Sequence, residues 1–199
     1  MPKNIDQFNI VLAGVGGQGL ITLGSIVAHA ARMDGHTVRM SELHGLSQRL
    51  GSVAMQLRFG KKAYSPLVTR NSADLVIGLE AIEASRTTYF SDKEKTTYLI
   101  NEFTIYSPTF VGKKVPTAKQ SLNIVKEFSK KAILVDATEK MRKKLGFDIF
   151  AGIYLVSKAV KDGELPITQE SLLKAIKLVV PRRLDLNIKA FKLGQEVEN

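Results

Sequence analysis

Short runs of apolar residues alternate with stretches in which apolar residues recur every three or four positions. The runs are typical of strands buried on both faces, and the wider spacing is typical of amphipathic helices. Predicted strands cover residues 8–13, 37–40, 53–59, 75–79, 97–101 and 132–136, and predicted helices cover 20–35, 119–128, 149–160 and 168–179. The alternation predicts an α/β fold, a three-layer Rossmann-like sandwich with a mostly parallel sheet. No linker is obvious, so we expect residues 1–199 to form a single domain.

A glycine-rich turn separates the first predicted strand from the first predicted helix. It contains Gly14, Gly16, Gly17, Gln18 and Gly19. Glycines let the backbone adopt positive φ and approach a ligand closely, and free N–H groups at a helix start attract phosphate. Since Gly14, Gly16 and Gly19 have the spacing of the dinucleotide-binding fingerprint, we predict that the turn binds a cofactor. The alternative is that the glycines only allow a tight turn and close helix packing.

Glu42 extends this prediction to the second strand. That strand is predicted to cover residues 37–40 and to end at Ser41 and Glu42. In dinucleotide-binding folds, an acidic residue near this place holds a ribose hydroxyl. Glu42 is therefore a further candidate for cofactor binding, which favours a nicotinamide or flavin ligand.

The segment 41–53 is polar, punctuated by glycine, and predicted to be a loop after the second strand. Loops at the carboxyl ends of strands are where open α/β sheets bind ligands. His44 titrates near neutral pH, and Arg49 carries a planar fork suited to carboxylate or phosphate, so these two are the catalytic candidates. Together with Gln48 and Ser52 they are also candidates for a substrate cleft or a partner's cleft. Ordinary surface roles for His44 and Arg49 stay open.

The two segments together resemble a known family. Gly-Val-Gly-Gly-Gln-Gly at 14–19 is similar to the start of the gamma-type subunits and domains of the 2-oxoacid:ferredoxin oxidoreductases. Within that family, Ser-Glu-Leu-His-Gly-Leu-Ser-Gln-Arg-Leu-Gly-Ser-Val at 41–53 resembles the beta subunits of indolepyruvate ferredoxin oxidoreductases most closely. The likeness continues through 72–80 and returns weakly near both 165–168 and 187–194. One departure is Leu50, where the family more often has glycine, so the path of the loop is expected to differ there.

The resemblance implies a complex that oxidatively decarboxylates aryl 2-oxoacids, consumes coenzyme A and reduces ferredoxin. Thiamine diphosphate and 4Fe-4S clusters are implied for a larger alpha subunit, and none of these groups is assigned to this chain alone. The resemblance implies a non-redox role for this chain, in which its glycine turn and the loop 41–53, here called the motif loop, face the cleft of the catalytic subunit. The isolated chain is expected to be inactive.

Composition narrows the chemistry. The chain has no cysteine, so it cannot supply thiolate ligands to an iron–sulfur cluster. Its three histidines lack the spacing of a zinc site, and no metal is predicted. The net charge of +10 comes from dispersed lysines without interleaved aromatic residues, so nucleic acid is not a predicted partner. No apolar run reaches about 18 residues, which predicts a cytoplasmic protein without membrane contact.

Other functions stay open on the residues alone. One is a stand-alone NAD(P)- or flavin-binding Rossmann protein, and another is the gamma subunit of a pyruvate or other 2-oxoacid ferredoxin oxidoreductase. A third is an assembly subunit whose motif loop only fastens a partner. Asp136 and Thr138 follow a late strand and are predicted to cap the next helix, although the same position would let them border the cleft.

Overall fold

The described strands form one sheet that carries the predicted fold. The computed structural model describes residues 5–44, 51–105 and 114–197. The strands are β1 (Phe8–Val15), β2 (Val38–His44), β3 (Ser52–Phe59), β4 (Leu75–Gly78), β5 (Thr97–Asn101) and β6 (Lys131–Val135), in the order β2-β3-β1-β4-β5-β6. Strands β1, β4, β5 and β6 are parallel, which confirms a mostly parallel sheet.

Strand β3 is the exception, because it runs antiparallel to both β1 and β2. Parallel neighbours need a long crossover, whereas the connection between β2 and β3 spans only residues 45–51. The predicted end of the second strand is wrong. Pairing with β3 continues to His44, opposite Val53, so Glu42 and His44 belong to a strand and not to a loop. Ser52 likewise opens β3.

Seven described helices cover the sheet. They are α1 (Leu20–Met33), α2 (Ala81–Ser85), α3 (Ala118–Lys126), α4 (Ala137–Leu145), α5 (Ala151–Lys161), α6 (Gln169–Val179) and α7 (Leu184–Gln195). Two short 3-10 helices, Arg86–Phe90 and Asp148–Phe150, follow α2 and precede α5. Helix α1 ends at Met33, two residues before the predicted end, and Gly35 follows with a φ of 85°, which suits glycine.

The helices form two outer layers, so the three-layer prediction is confirmed. Apolar residues of α1, α5, α6 and α7 pack with Leu12, Leu57 and Leu99 on one face of the sheet. Residues of α2 and α3 pack with Val76 and Tyr98 on the other face. Strands buried between two helical layers are apolar almost throughout, which is why their runs were visible in the sequence.

Helix α6 is fastened to the end of α1 by a buried carboxylate. Thr168 is the N-cap of α6, and its hydroxyl accepts a hydrogen bond from the Ser171 amide at 3.1 Å. Asp34, which is 8% exposed, accepts hydrogen bonds from the Thr168 amide at 2.6 Å, the Thr168 hydroxyl at 2.8 Å and the Ser171 hydroxyl at 2.6 Å. A contact between residues 134 positions apart thus fixes where α6 begins.

Candidate active-site cleft

A cleft opens at the carboxyl ends of the parallel strands. Its cavity of about 310 Å³ is lined by Val15, Gly16, Gly17, Gln18, Leu79, Asn101, Phe103, Ile105, Thr138, Asp148, Ile149, Ala151 and Gly152. From β1 the chain crosses to β2 on one side, whereas β4 lies on the other side of β1. Such a switch point is where open α/β sheets bind ligands.

The glycine turn forms one wall of this cleft in the conformation that the sequence predicted. Gly17 and Gly19 have φ of 99° and 75°, which glycine adopts readily. Gly19 is the N-cap of α1 and has no side chain with which to cap it. The first N–H groups of a helix have no partner within the helix, so the start of α1 presents backbone donors and the positive end of the helix dipole. The Gly16 and Gln18 amides already donate to the Gly51 and Val15 carbonyls.

Gln18 clamps the ends of two strands. Its Oε1 accepts a hydrogen bond from the Val15 amide at 2.9 Å, and its Nε2 donates to the Leu79 carbonyl at 3.2 Å. A Cβ at Gly14 would lie 2.5 Å from Gln18 Oε1, so glycine at 14 leaves space for this clamp. The first glycine of the motif therefore makes room for the side chain of its glutamine. The side chain of Gln18, predicted to bind a cofactor, spends both of its polar atoms on the backbone.

Asn101 and Thr138 form a second polar pair in the cleft. Asn101 Nδ2 donates to the Thr138 hydroxyl at 2.8 Å and to the Leu79 carbonyl at 3.1 Å. The Thr138 amide donates to Asn101 Oδ1 at 3.2 Å. The alternative placement of Thr138 at the cleft is thus confirmed. Asp136 occupies the predicted N-cap position of α4, but its side chain makes no capping hydrogen bond.

Glu42 lies farther from the glycine turn than the dinucleotide fingerprint requires. In that fingerprint the acidic residue follows the strand next to the glycine strand. Here β3 lies between β1 and β2, and Glu42 is opposite Met55 on β3. Two strand spacings, roughly 9.5 Å, therefore separate the strand of Glu42 from the strand of the glycines.

Ser52 is engaged by α2. Its hydroxyl donates to Glu83 Oε2 at 2.6 Å, and it is absent from the lining of the cavity formed by the described residues. The preceding residue, Gly51, accepts a hydrogen bond from the Gly16 amide at 2.9 Å. His44 ends β2, whereas the candidates Gln48 and Arg49, with Leu50, lie outside the described residues.

Glu80 is a buried carboxyl beside the cleft. It is 2% exposed and caps α2, accepting from the Glu83 amide at 2.7 Å and from the Ile105 amide at 3.2 Å. Burial raises the pKa of Glu80 above its ordinary value, while the backbone bonds from Glu83 and Ile105 oppose that rise. The desolvation effect is the larger one, so the protonated form is favoured in the folded chain relative to the unfolded chain.

We expect Glu80 to make stability depend on pH. Because its pKa is raised on folding, the folded chain binds more protons at this site between the ordinary value of 4.5 and the raised one. This favourable contribution is fully present below the ordinary pKa and is lost as pH rises through the raised pKa. Urea unfolding across that window should show a negative pH slope that Glu80→Gln removes. Glu127→Gln, at an exposed position, should keep the slope; a slope unchanged by Glu80→Gln would contradict the assignment.

A second, larger cavity adjoins the cleft. It measures about 490 Å³ and shares Gln18, Asp148, Ile149 and Gly152 with the first. Its walls combine apolar side chains with Arg182 and Arg183 from the turn before α7. The Arg183 guanidinium lies 4.1 Å from the ring centroid of Phe147. Sequence reasoning missed this cavity, because an Arg-Arg pair beside a proline carries no local signal of a cleft.

Within residues 5–44, 51–105 and 114–197, no group of three or more histidine, aspartate or glutamate side chains is arranged to hold a metal ion. Over the same ranges, no helix is long and apolar enough to cross a membrane.

Comparison with known proteins identifies relatives that match nearly all of the chain. Residues 9–197 match the model of the family described as pyruvate ferredoxin/flavodoxin oxidoreductase. Indolepyruvate oxidoreductase subunit IorB of Thermococcus kodakarensis is 33% identical over 193 residues, covering 94% of each chain. The match thus runs nearly end to end, with no large unmatched region in either chain.

Solved structures share the fold. The gamma subunit of a keto/oxoacid ferredoxin oxidoreductase from Geobacter sulfurreducens superposes with a TM-score of 0.68, at 23% identity, over 96% of this chain and 95% of that one. A 2-oxoglutarate:ferredoxin oxidoreductase from Magnetococcus marinus, solved with 2-oxoglutarate, coenzyme A and succinyl-CoA bound, superposes with a TM-score of 0.70 at 15% identity. That match covers 96% of this chain and 31% of the longer one.

Proposed function

We propose that this chain, which belongs to the pyruvate ferredoxin/flavodoxin oxidoreductase family and is a subunit of that type of oxidoreductase, works in the following complex. The complex oxidatively decarboxylates aryl 2-oxoacids of the indolepyruvate kind to acyl-CoA and carbon dioxide, and it reduces ferredoxin. The observation that carries this proposal is the match to the indolepyruvate oxidoreductase subunit over 94% of both chains. One sheet contains all the described strands, which supports treating residues 1–199 as a single domain.

The redox groups belong to a larger alpha subunit in this proposal. A chain without cysteine cannot provide the thiolates that hold 4Fe-4S clusters. Thiamine diphosphate, bound in that partner, supplies the carbanion chemistry of the decarboxylation. This chain then contributes binding and orientation, and it has no turnover of its own.

The glycine turn is the anion-binding wall of the shared cleft. Backbone donors at the start of α1 attract phosphate or carboxylate without a side chain, because the helix dipole favours negative charge there. Among the substrates of the proposed reaction, both coenzyme A and the 2-oxoacid are anions. The neighbouring apolar walls, including Phe103, Ile105 and Ile149, suit the uncharged parts of such ligands.

The motif loop is tested in the assembled complex. Arg49→Ala should raise the KM for the 2-oxoacid or coenzyme A about fivefold, because a bidentate contact to an anionic group is lost. His44→Ala should lower turnover with smaller changes in KM, as expected for a group that moves a proton. Arg39→Ala, an exposed arginine of β2, is the matched control and should leave both constants unchanged. Normally assembled variants with wild-type turnover and wild-type KM for both substrates would reject the proposed cleft role.

Two alternatives have their own tests. A subunit of a pyruvate or other 2-oxoacid enzyme predicts a different ranking in a substrate panel with the same complex. A stand-alone dinucleotide protein predicts tight binding of NAD(P) or flavin by the isolated chain in equilibrium dialysis. The position of β3 between the glycine strand and Glu42 favours the subunit over the dinucleotide protein.

A further inference from the structure

Helix α2 supplies a buried carboxylate that contacts the base of the β2–β3 hairpin. Glu83 is 7% exposed, and its Oε2 accepts the hydroxyl hydrogen bond of Ser52 at 2.6 Å. The two residues are 31 positions apart, so this bond links separate elements. Ser52 itself is exposed at the start of β3.

The next peptide carries the link to the glycine turn. Gly51 directly precedes Ser52, and its carbonyl accepts a hydrogen bond from the Gly16 amide at 2.9 Å. Gly16 lines the cleft. A chain of two hydrogen bonds and one residue step therefore runs from Glu83 through Ser52 and Gly51 to the anion-binding wall.

The surroundings of Glu83 make this charge costly to keep for packing alone. Its second oxygen pairs with Arg86 at 2.9 Å, but the Arg86 side chain is 54% exposed, and exposed partners stabilise little. Glu80, another buried carboxyl, lies three residues earlier and bonds to the Glu83 amide. Glu80 is the N-cap of the helix that carries Glu83, and after burial the charge of Glu83 is a further cause that raises the pKa of Glu80. A purely structural site would be better served by an uncharged side chain.

We propose that Glu83 is a positioning residue that fixes the glycine turn at the cleft through Ser52 and Gly51. It makes no contact with substrate in this arrangement. It sets the orientation of the Gly51 carbonyl, and thereby the Gly16 amide and the donors that follow it in the turn. The positioning of the turn does not depend on the proposed function; only its effect on substrate binding in the complex rests on that function.

Amide hydrogen exchange on the full chain tests the link itself. Ser52→Ala and Glu83→Ala should each speed exchange of the Gly16 amide about tenfold. Each removes the hydrogen bond between Ser52 and Glu83, which in this proposal holds the Gly51 carbonyl in place. The double variant should exchange no faster than either single variant, as expected for two partners in one bond. Ser52→Thr keeps the hydroxyl and should restore slow exchange. Arg86→Ala removes only the exposed partner of Glu83 and should leave Gly16 unchanged.

The outcomes separate positioning from general stability. Unchanged exchange at Gly16 in Ser52→Ala would overturn the proposal, and so would an equal acceleration at every amide, including Leu23 within α1. If Glu83→Ala fails to fold, Ser52→Ala still decides, since its side chain is exposed.

The same variants in the assembled complex test what the turn does. Ser52→Ala should raise the KM for coenzyme A several-fold with little change in turnover, and Ser52→Thr should restore it. Faster exchange at Gly16 with an unaltered KM would support the positioning link and reject the anion-binding role in the proposed function. The two failures are therefore distinguishable.

Discussion

Asp34→Ala should lower the free energy of unfolding by about 3 kcal/mol and the melting temperature by about 10 °C. The substitution removes the acceptor of three hydrogen bonds, from the Thr168 amide, the Thr168 hydroxyl and the Ser171 hydroxyl. These donors lie at the start of α6, where Asp34 is 8% exposed, so water replaces the carboxylate poorly. Urea unfolding followed by circular dichroism measures the change.

A carboxylate in the first turn of α6 gives the matched control. Glu170 lies in the first turn of α6, and its ion pair with Lys174 has both side chains more than half exposed. Glu170→Ala should therefore leave the unfolding midpoint nearly unchanged. Equal destabilisation by the two substitutions would show that charge at the helix start, and not the buried contact of Asp34, holds α6 in place.

The sequence was sufficient wherever local patterns decide the structure. The strand at Thr97–Asn101 was predicted with its observed bounds, because a run of only five residues is short for a helix and typical of a strand buried on both faces. The start of α6 was predicted to within one residue, because a threonine before an apolar periodic stretch is a local signal of a helix start. The family was recognised from two motifs, and the comparisons confirm it.

Long-range pairing explains where the sequence was misleading. Strand β2 is an edge strand, so polar residues such as Ser41 and Glu42 are tolerated in it, and they read as a loop. Only the partner β3 shows that the strand continues to His44. Helix α4 was not among the predicted helices. It carries many charges and few buried residues, of which Met141 is one, so its apolar face is too narrow to give a clear helical pattern.

The candidate site was predictable in its backbone and less so in its side chains. Glycines 17 and 19 adopt the expected positive φ because that preference is intrinsic. Asn101 went unnoticed because its role depends on Thr138, which lies 37 residues away. Gln18 stays a predicted cofactor-binding residue, but nothing in the sequence indicated that its side-chain amide joins the ends of β1 and β4.

That amide leads to the second large effect: Gln18→Glu should destabilise the chain by about 2–3 kcal/mol. A carboxylate still accepts from the Val15 amide, but it has no hydrogen to donate to the Leu79 carbonyl. Two oxygens would then face each other beside the cleft, and the Leu79 carbonyl would keep only the donor from Asn101. Urea unfolding measures the loss of stability, and the assembled complex should lose turnover because the turn shifts.

The same chemical change at the exposed Gln120 should cost almost nothing, because no donor is lost there. Gln120 closes a capping box at the start of α3, where its Oε1 only accepts, from the Thr117 amide at 2.9 Å. Glutamate accepts equally well there, and negative charge suits a helix start. If Gln18→Glu and Gln120→Glu changed stability alike, donation from Gln18 to Leu79 would have no energetic weight. A large difference would mean that the motif requires glutamine because one side chain must both accept and donate.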